Sequence, residues 1–215
     1  MAALKPYQQR FIDLAIQCRA LQFGDFQLKS GRRSPYFFNA GQFNSGPALA
    51  ALGGCYADAF IDSGVQADML FGPAYKGIPL VAATAIALAE RGRDLPFCFN
   101  RKEAKPHGEG GWTIGAPLRG RVLILDDVLT AGTAINATIE LLATTAATPA
   151  AALIGFDRQE RIAGDHAAAT ELTATHGLRI LSIAGLDNLC AHLKTKGDKA
   201  QLAALDSYRE KHGAI

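Results

Sequence analysis

The stretch VLILDDVLTAGTA, residues 122–134, joins a run of apolar residues to two adjacent carboxylates and a glycine turn. Four apolar residues precede Asp126 and Asp127, and the segment TAGT, residues 130–133, leads into a helical pattern. This order predicts a strand, a tight turn and the N-terminus of a helix. Ligands of open α/β sheets bind at the carboxyl ends of the strands, so the turn is a candidate site by position alone.

The turn carries the groups needed to hold a phosphate. Its backbone N–H groups and the hydroxyls of Thr130 and Thr133 can converge on one anion, and the helix dipole reinforces them. No lysine follows the glycine and no GxGxxG occurs, which disfavours a nucleoside triphosphate or a dinucleotide. Asp126 and Asp127 would repel a lone phosphate, but carboxylates accept hydrogen bonds from a vicinal diol and stabilise positive charge on a ribose ring. The stretch therefore indicates a ribose 5-phosphate whose C1 reacts, and the alternative is that both aspartates only cap the turn.

Apolar runs alternate with helical patterns along the rest of the chain. We expect helices over residues 6–21, 45–63, 76–90, 132–147, 166–176 and, with a break near Gly197, 189–208. Strands are expected over 69–71, 97–99, 122–125, 151–156 and 179–183. Residues 26–41 predict a short hairpin or irregular strands, and the Ala/Thr-rich residues 143–152 a helix end and a loop. The alternation implies an α/β fold with a mostly parallel central sheet flanked by helices, in a single domain spanning residues 1–215.

Bulk composition excludes several classes of function. The 215 residues are 49% apolar with a net charge of +2, which gives no electrostatic case for a nucleic-acid or membrane partner. The four cysteines are far apart and form no CxxC, so they are expected to be reduced core thiols. The N-terminus lacks the pattern of a signal peptide, and the longest apolar stretch, residues 77–89, is too short for a membrane span. We therefore expect a cytoplasmic protein.

Two further stretches concentrate glycine and positive charge. In FGPAYKGIP, residues 71–79, glycines let the backbone approach a ligand and Lys76 supplies a mobile charge, unless this is an ordinary strand–helix turn. In RKEAKPHGEGG, residues 101–111, four basic or titratable side chains stand beside three glycines. That composition is typical of a lid that closes over polyphosphate, and a solvated charged hairpin is the alternative.

Together with LKSGRRSPYFFNAG, residues 28–41, and FDRQER, residues 156–161, these stretches resemble the type I phosphoribosyltransferases, and in detail their bacterial orotate branch. The resemblance extends from near the first residue to near the last. It implies a type I phosphoribosyltransferase fold with a small N-terminal hood, residues 1 to about 45, and a flexible catalytic loop. It also implies transfer of the 5-phosphoribosyl group from 5-phosphoribosyl 1-diphosphate to orotate, giving orotidine 5'-phosphate in pyrimidine (UMP) biosynthesis.

The resemblance assigns roles to individual residues. Contacts with 5-phosphoribosyl 1-diphosphate fall on Lys29, Tyr75, Lys76, Arg101, Lys102, Lys105, His107, Asp126, Asp127, Val128, Leu129, Thr130, Ala131, Gly132, Thr133 and Ala134. Contacts with orotate fall on Phe37, Phe38, Thr130 and Arg158, and catalytic roles on Lys76, Lys105, Asp126 and Asp127. In this family the loop at residues 71–79 often holds a non-proline cis peptide. Pro106 departs from the pattern, which has an acidic residue before the lid histidine.

The residues assigned to orotate have chemistry that suits a flat heteroaromatic acid. Such a ligand needs an aromatic wall and backbone amides, which Phe37 and Phe38 could offer, although adjacent phenylalanines are more often core. The planar fork of Arg158 could grip a carboxylate bidentately at the ligand end of a strand, whereas Arg161 is expected at the surface.

The family also implies a cofactor and a partner. Mg²⁺ would bridge the diphosphate and the ribose hydroxyls and would be held largely by substrate oxygens, so no dedicated metal-ligand cluster is expected. The lid would reach into the neighbouring subunit's site, which makes the active enzyme a homodimer with shared sites. Two other interpretations are a phosphoribosyltransferase for another base, and a nucleic-acid-binding regulator that reuses the fold.

Overall fold

The computed structural model describes residues 3–28, 30–105, 111–162 and 166–214. The α-helices are α1 (Pro6–Gln17), α2 (Gly46–Ser63), α3 (Gly77–Ala89), α4 (Thr133–Ala143), α5 (Ala168–His176), α6 (Leu186–Lys196) and α7 (Lys199–His212). The strands are β1 (Leu21–Gln27), β2 (Arg33–Phe38), β3 (Met69–Gly72), β4 (Phe97–Lys105), β5 (Gly111–Gly115), β6 (Arg119–Leu129), β7 (Ala146–Asp157) and β8 (Arg179–Gly185). This is the expected α/β pattern.

Six strands form a central sheet in the order β5-β4-β3-β6-β7-β8. All neighbouring pairs are parallel except β4 with β5, which is antiparallel. The change in strand order between β3 and β6 places the ends of two non-consecutive strands side by side. In sheets of this type, such a switch point opens the crevice in which ligands bind.

Strand β6 is apolar on both faces because helices cover both sides of the sheet. Leu123 and Leu125 belong to a hydrophobic cluster that includes side chains of α1, α2, α3, α6 and α7, while Val122 and Ile124 belong to a second cluster with side chains of α4 and α5. All four side chains are fully buried. A strand covered on both faces has a continuous apolar run instead of an alternating one, which explains why the sequence VLIL predicts it well.

The hood contains α1 and a two-stranded antiparallel sheet of β1 and β2. Its buried side chains belong to the same hydrophobic cluster as one face of the central sheet. Phe38 stacks on Phe156 of β7, with ring centroids 5.2 Å apart, and also contacts Phe11 of α1. The hood is therefore packed directly onto the carboxyl end of β7.

Several element boundaries differ from those predicted. Strand β4 continues to Lys105, and β5, which was not predicted, pairs with it as far as Lys105 opposite Gly111. Strand β7 begins at Ala146 because the Ala/Thr-rich residues pair with the start of β6 at Arg119, and the loop predicted there is wrong. Small side chains give a weak periodic signal, so only the pairing with β6 reveals this strand.

Three of the four cysteines, Cys55, Cys98 and Cys190, are buried, Cys18 is partly so, and all four are free thiols. Burial raises the pKa of Cys55 to about 11 and that of Cys98 to about 12, so both stay protonated near neutral pH. Among the described residues, no helix has both the length and the apolar character needed to cross a membrane.

Candidate active site

A cavity of about 330 Å³ opens where β3 and β6 end. Its walls are the loop after β3 and the turn after β6, with Pro73, Ala74, Tyr75, Lys76, Asp126, Asp127, Val128, Leu129, Thr130, Gly132, Thr133 and Ala134 as lining residues. Ala131 belongs to the same turn but not to this lining. The two stretches that the sequence singled out thus meet at one site.

The turn after β6 delivers the N-terminus of α4 to the cavity. Gly132 precedes the helix at φ 73° and ψ 8°, and no described side chain caps it. A Cβ on Gly132 would lie 3.0 Å from Leu172 Cδ1, so both conformation and space require glycine. The first N–H groups of a helix lack intrahelical partners, and here they face the cavity beside the exposed Thr130 and Thr133. Such an N-terminus is a ready anion site.

The acidic pair lies at the end of β6, within the strand. Asp127 is 6% exposed and its Oδ2 accepts a hydrogen bond from Lys76 Nζ at 2.6 Å. The backbone N–H of Asp127 donates to Asp126 Oδ1 at 2.9 Å. Burial, and next the charge of Asp127, raise the pKa of Asp126 to about 7. The site therefore holds one carboxylate paired with a lysine and a second carboxyl that titrates near neutral pH.

The loop after β3 brings Lys76 across the cavity from β6. The Ala74–Tyr75 peptide bond is cis, as the family resemblance implied. Gly72 and Gly77 approach so closely that a Cβ on Gly72 would lie 2.1 Å from the Gly77 carbonyl oxygen. Tyr75 is 64% exposed at the mouth of the site. This tight loop sets Lys76 opposite the acidic pair.

Two supporting residues were missed by the sequence reasoning. Asn100 of β4 accepts a hydrogen bond through Oδ1 from the Ala74 backbone N–H, at 2.7 Å. Tyr56 of α2 is fully buried, and its hydroxyl donates to the backbone carbonyl of Asp126 at 2.7 Å. Asn100 stands next to the basic lid stretch, which is a weak local signal. Tyr56 lies 70 positions from its partner, and no local pattern could identify it.

The lid residues are described only in part. Lys102 and Lys105 lie on β4 and Arg101 is half-buried, with no hydrogen-bond partner for its buried Nε among the described residues. Lys29 and His107, together with Pro106, lie outside the described residues.

Of the four residues assigned to orotate, Thr130 lines the cavity and the other three do not. Phe37 is 37% exposed and packs against Phe26, whereas Phe38 is core. Arg158 follows β7 and is 5% exposed. Its guanidinium is hydrogen-bonded to Glu160.

The described residues contain no group of three or more His, Cys, Asp and Glu side chains that could hold a metal ion. Among the residues that line the cavity, Asp126 and Asp127 supply the carboxylate oxygens. Carboxylate oxygen is the donor type that Mg²⁺ prefers, and Mg²⁺ usually binds through one or two carboxylates plus substrate phosphates. The donor set therefore suits a magnesium ion that arrives with a polyphosphate substrate.

A mostly parallel sheet with a cis-peptide loop, an acidic pair and a helix N-terminus around one cavity is the arrangement expected of a phosphoribosyltransferase. The model of the phosphoribosyl transferase domain matches residues 39–175. The orotate phosphoribosyltransferase of Salmonella agona (strain SL483) is 54% identical over 212 residues, which cover 98% of this chain and 100% of that protein. The chain belongs to the orotate phosphoribosyltransferase family.

Solved structures agree with this assignment. The crystal structure of orotate phosphoribosyltransferase from Francisella tularensis is 40% identical, with a TM-score of 0.86 over 95% of this chain and 99% of that chain. The Mycobacterium tuberculosis orotate phosphoribosyltransferase in complex with 5-phospho-alpha-D-ribosyl 1-diphosphate is 21% identical, with a TM-score of 0.65 over 86% of this chain and 99% of that chain. The second comparison supports the fold alone.

Proposed function

We propose that this protein transfers the 5-phosphoribosyl group from 5-phosphoribosyl 1-diphosphate to orotate, forming orotidine 5'-phosphate and diphosphate. The observation that carries the proposal is the cavity itself, in which Asp126, Asp127, Lys76 and the N-terminus of α4 face one space. Membership of the orotate phosphoribosyltransferase family supports the choice of base.

The 5-phosphate occupies the N-terminus of α4, where backbone N–H groups and the hydroxyls of Thr130 and Thr133 converge. Asp126 and Asp127 accept hydrogen bonds from the ribose hydroxyls. Positive charge develops on the ribose ring as the bond from C1 to the diphosphate oxygen breaks, and the carboxylates stabilise it. The hydrogen bond from the Tyr56 hydroxyl to the backbone carbonyl of Asp126 helps to hold Asp126 in place.

The diphosphate is held by Tyr75 and Lys76 on one side and by the lid residues Arg101, Lys102, Lys105 and His107 on the other. Before substrate binds, Lys76 is paired with Asp127. Substrate replaces this ion pair with two other interactions: diphosphate pairs with Lys76, and the ribose hydroxyls donate hydrogen bonds to Asp127. Because Lys76 and Asp127 fix each other's side chains through this ion pair, substrate meets groups that are already oriented.

Orotate binds beside Thr130, with Phe37, Phe38 and Arg158 at the hood side. Lys29, which lies outside the described residues, is assigned to 5-phosphoribosyl 1-diphosphate by the family resemblance. Orotate N1 attacks C1 of the ribose and the N1–C1 bond forms. The electron pair of the broken C1–O bond leaves with the diphosphate, which also takes up the proton that N1 loses. Lys76 and Lys105 offset the charge that grows on the leaving group.

Bound Mg²⁺ would neutralise charge on the diphosphate, and Asp126 and Asp127 are the residues available to hold it or its waters. The active form is a homodimer whose lids complete each other's sites, in the cytoplasm. Orotate and 5-phosphoribosyl 1-diphosphate are the substrates, and nucleic acid and membrane are not partners.

Diphosphate release in the presence of different bases tests the choice of substrate. The purified protein should release diphosphate from 5-phosphoribosyl 1-diphosphate with orotate, and not with uracil or hypoxanthine at equal concentration. Release with hypoxanthine or uracil, and none with orotate, would assign the chain to another base. A salt-sensitive interaction with DNA and no release with any base would favour the regulator.

A further inference from the structure

Arg158 is held in a buried polar cluster between the hood, the end of β7 and the C-terminal helix. Its guanidinium lies 4.4 Å from the ring centroid of Tyr36 of β2. One of its terminal nitrogens, Nη2, donates to Ser34 Oγ at 3.2 Å. Charged groups are almost never this buried unless they are paired, so the partner of Arg158 determines where its guanidinium points.

That partner is Glu160, two residues further along the chain. Glu160 Oε1 accepts hydrogen bonds from Arg158 Nε at 2.7 Å and from the hydroxyl of Tyr208 at 2.8 Å, and lies 2.5 Å from Arg158 Nη2. The Glu160 side chain is 13% exposed and that of Arg158 6%. Its other oxygen, Oε2, lies 3.6 Å from Arg32 Nη1 in the hood. Glu160 thus accepts hydrogen bonds from Arg158 and Tyr208 and forms an ion pair with Arg32, three residues from three parts of the fold.

The hydrogen bonds of Arg158 within the described residues use Nε and Nη2 and leave Nη1 for a ligand. An arginine side chain loses rotamer entropy when it is fixed. The contacts with Glu160, Ser34 and Tyr36 already fix the Arg158 side chain. A ligand that binds at Nη1 therefore causes little further loss of rotamer entropy. Without Glu160, the guanidinium would be free to turn and would lose part of this advantage.

We propose that Glu160 and Tyr208 are positioning residues for the orotate carboxylate, which they serve by holding Arg158, so that helix α7 completes the base end of the site. This inference rests on the proposed function. Neither residue needs to touch substrate. Tyr208 reaches Glu160 from α7, so the C-terminal helix contributes to substrate recognition and not only to packing.

Steady-state kinetics of Glu160→Gln and Tyr208→Phe test the proposal. Glutamine keeps an oxygen acceptor but loses the charge, and phenylalanine removes only the hydroxyl. Hydrogen bonds to charged groups contribute about 1.5–3 kcal/mol, so we expect Glu160→Gln to raise KM for orotate roughly 10-fold or more. Tyr208→Phe should raise it by a smaller factor. KM for 5-phosphoribosyl 1-diphosphate should change by less than about 2-fold in both variants, since Asp126, Asp127 and the start of α4 lie outside this cluster.

Asp187→Asn is the matched control. Asp187 of α6 accepts hydrogen bonds from Arg209 Nη1 at 2.8 Å and from Gln159 Nε2 at 3.4 Å. It therefore fastens α7 and the segment after β7, but has no hydrogen bond to Arg158, Glu160 or Tyr208 among the described residues. This variant should leave both KM values unchanged.

A second readout is inhibition by uracil, which has no carboxylate. Its inhibition constant should not change in Glu160→Gln if the effect acts through the carboxylate.

The outcomes separate this proposal from the proposed function. If the wild-type protein turns over orotate and Glu160→Gln has an unchanged KM for orotate, the positioning role is wrong. An equal rise in both KM values, or the same rise in Asp187→Asn, would mean that the cluster only stabilises the fold. Either result would also overturn the positioning role of Glu160. Should the wild-type protein fail to use orotate at all, the proposed function fails first.

Discussion

Asp126 combines a functional position with a cost in stability. Its pKa is about 7 in the folded protein against 3.8 for an ordinary aspartate, because burial and the neighbouring Asp127 disfavour its charged form. A carboxyl whose pKa is raised on folding costs stability as pH rises from its unfolded pKa to its folded pKa, and the cost is complete above the latter. The cost is therefore largest above pH 7 and is relieved in acid.

Asp126→Asn is thus expected to stabilise the fold while impairing catalysis. Each pKa unit corresponds to about 1.4 kcal/mol, and since Asp127 shares the repulsion we expect a gain of about 2 kcal/mol at pH 8. At pH 5 the gain should fall to about a third of that, because Asp126 is mostly protonated in the folded wild type. Denaturant unfolding at the two pH values measures both.

Asp68→Asn is the control, because the pKa of Asp68 is shifted in the direction opposite to that of Asp126. Hydrogen bonds from Arg121 lower the pKa of Asp68 to about 2, so losing this carboxylate should not stabilise the protein. A variant at Asp126 that is less stable than wild type at pH 8 would contradict the burial of its charge.

Asn100 tests how the cis-peptide loop is held. Replacing it by alanine leaves the partly buried Ala74 N–H without its acceptor, and the loss of such a bond costs on the order of 1 kcal/mol. We expect Asn100→Ala to raise KM for 5-phosphoribosyl 1-diphosphate roughly 5- to 10-fold with a smaller effect on orotate. Asn188→Ala removes a comparable side-chain acceptor, 2.9 Å from the Gly185 N–H, away from the cavity. An equal effect in both variants would remove Asn100 from the site.

Helix α4 tests the phosphate seat as an element. In Gly132→Ala the alanine must adopt the left-handed conformation of Gly132, which lowers stability by about 1–2 kcal/mol. Its Cβ also comes too close to Leu172. The first turn of α4 must then shift, so we expect lower stability and a KM for 5-phosphoribosyl 1-diphosphate raised roughly 10-fold.

Gly177→Ala supplies the comparison for that prediction. Gly177 ends α5 at φ 63°, and a Cβ added there would meet nothing within 4 Å, so this variant carries the backbone cost alone. It should lose stability and keep its KM. If Gly132→Ala behaves like Gly177→Ala, the start of α4 does not position the phosphate.

The sequence predicted those elements whose signals are local. The run VLIL before Asp126 is apolar on both faces, and Gly132 marks the turn, so β6 and α4 could be placed from sequence. Strand β5 and the beginning of β7 could not, because they depend on pairing with distant strands. The acidic pair was found for the same local reason, while Tyr56 and Asn100 act through contacts that only the fold creates.

At the scale of the whole molecule, the proposed homodimer with shared sites is testable by complementation. Lys105→Ala should lower turnover by roughly 100-fold or more, the scale of losing one donor to transition-state charge. Asp127→Asn should be similarly impaired through the ribose. If the lid of one subunit serves the site of the other, mixed and refolded subunits form some dimers with one intact site.

Such a mixture should recover up to about a quarter of wild-type activity, because about half of randomly paired dimers are mixed and each has one complete site. Refolded samples of each variant alone are the controls. Confirmed heterodimers without recovered activity would mean that each site is built within one chain.

The most direct test of the central claim follows the ultraviolet absorbance of orotate after it is mixed with the protein and 5-phosphoribosyl 1-diphosphate, with and without Mg²⁺. The ribose-phosphate seat at Asp126, Asp127 and the start of α4 predicts a Mg²⁺-dependent loss of absorbance that is strongly slowed in Asp127→Asn. Unchanged absorbance with the wild-type protein, or an equal rate in Asp127→Asn, would contradict it.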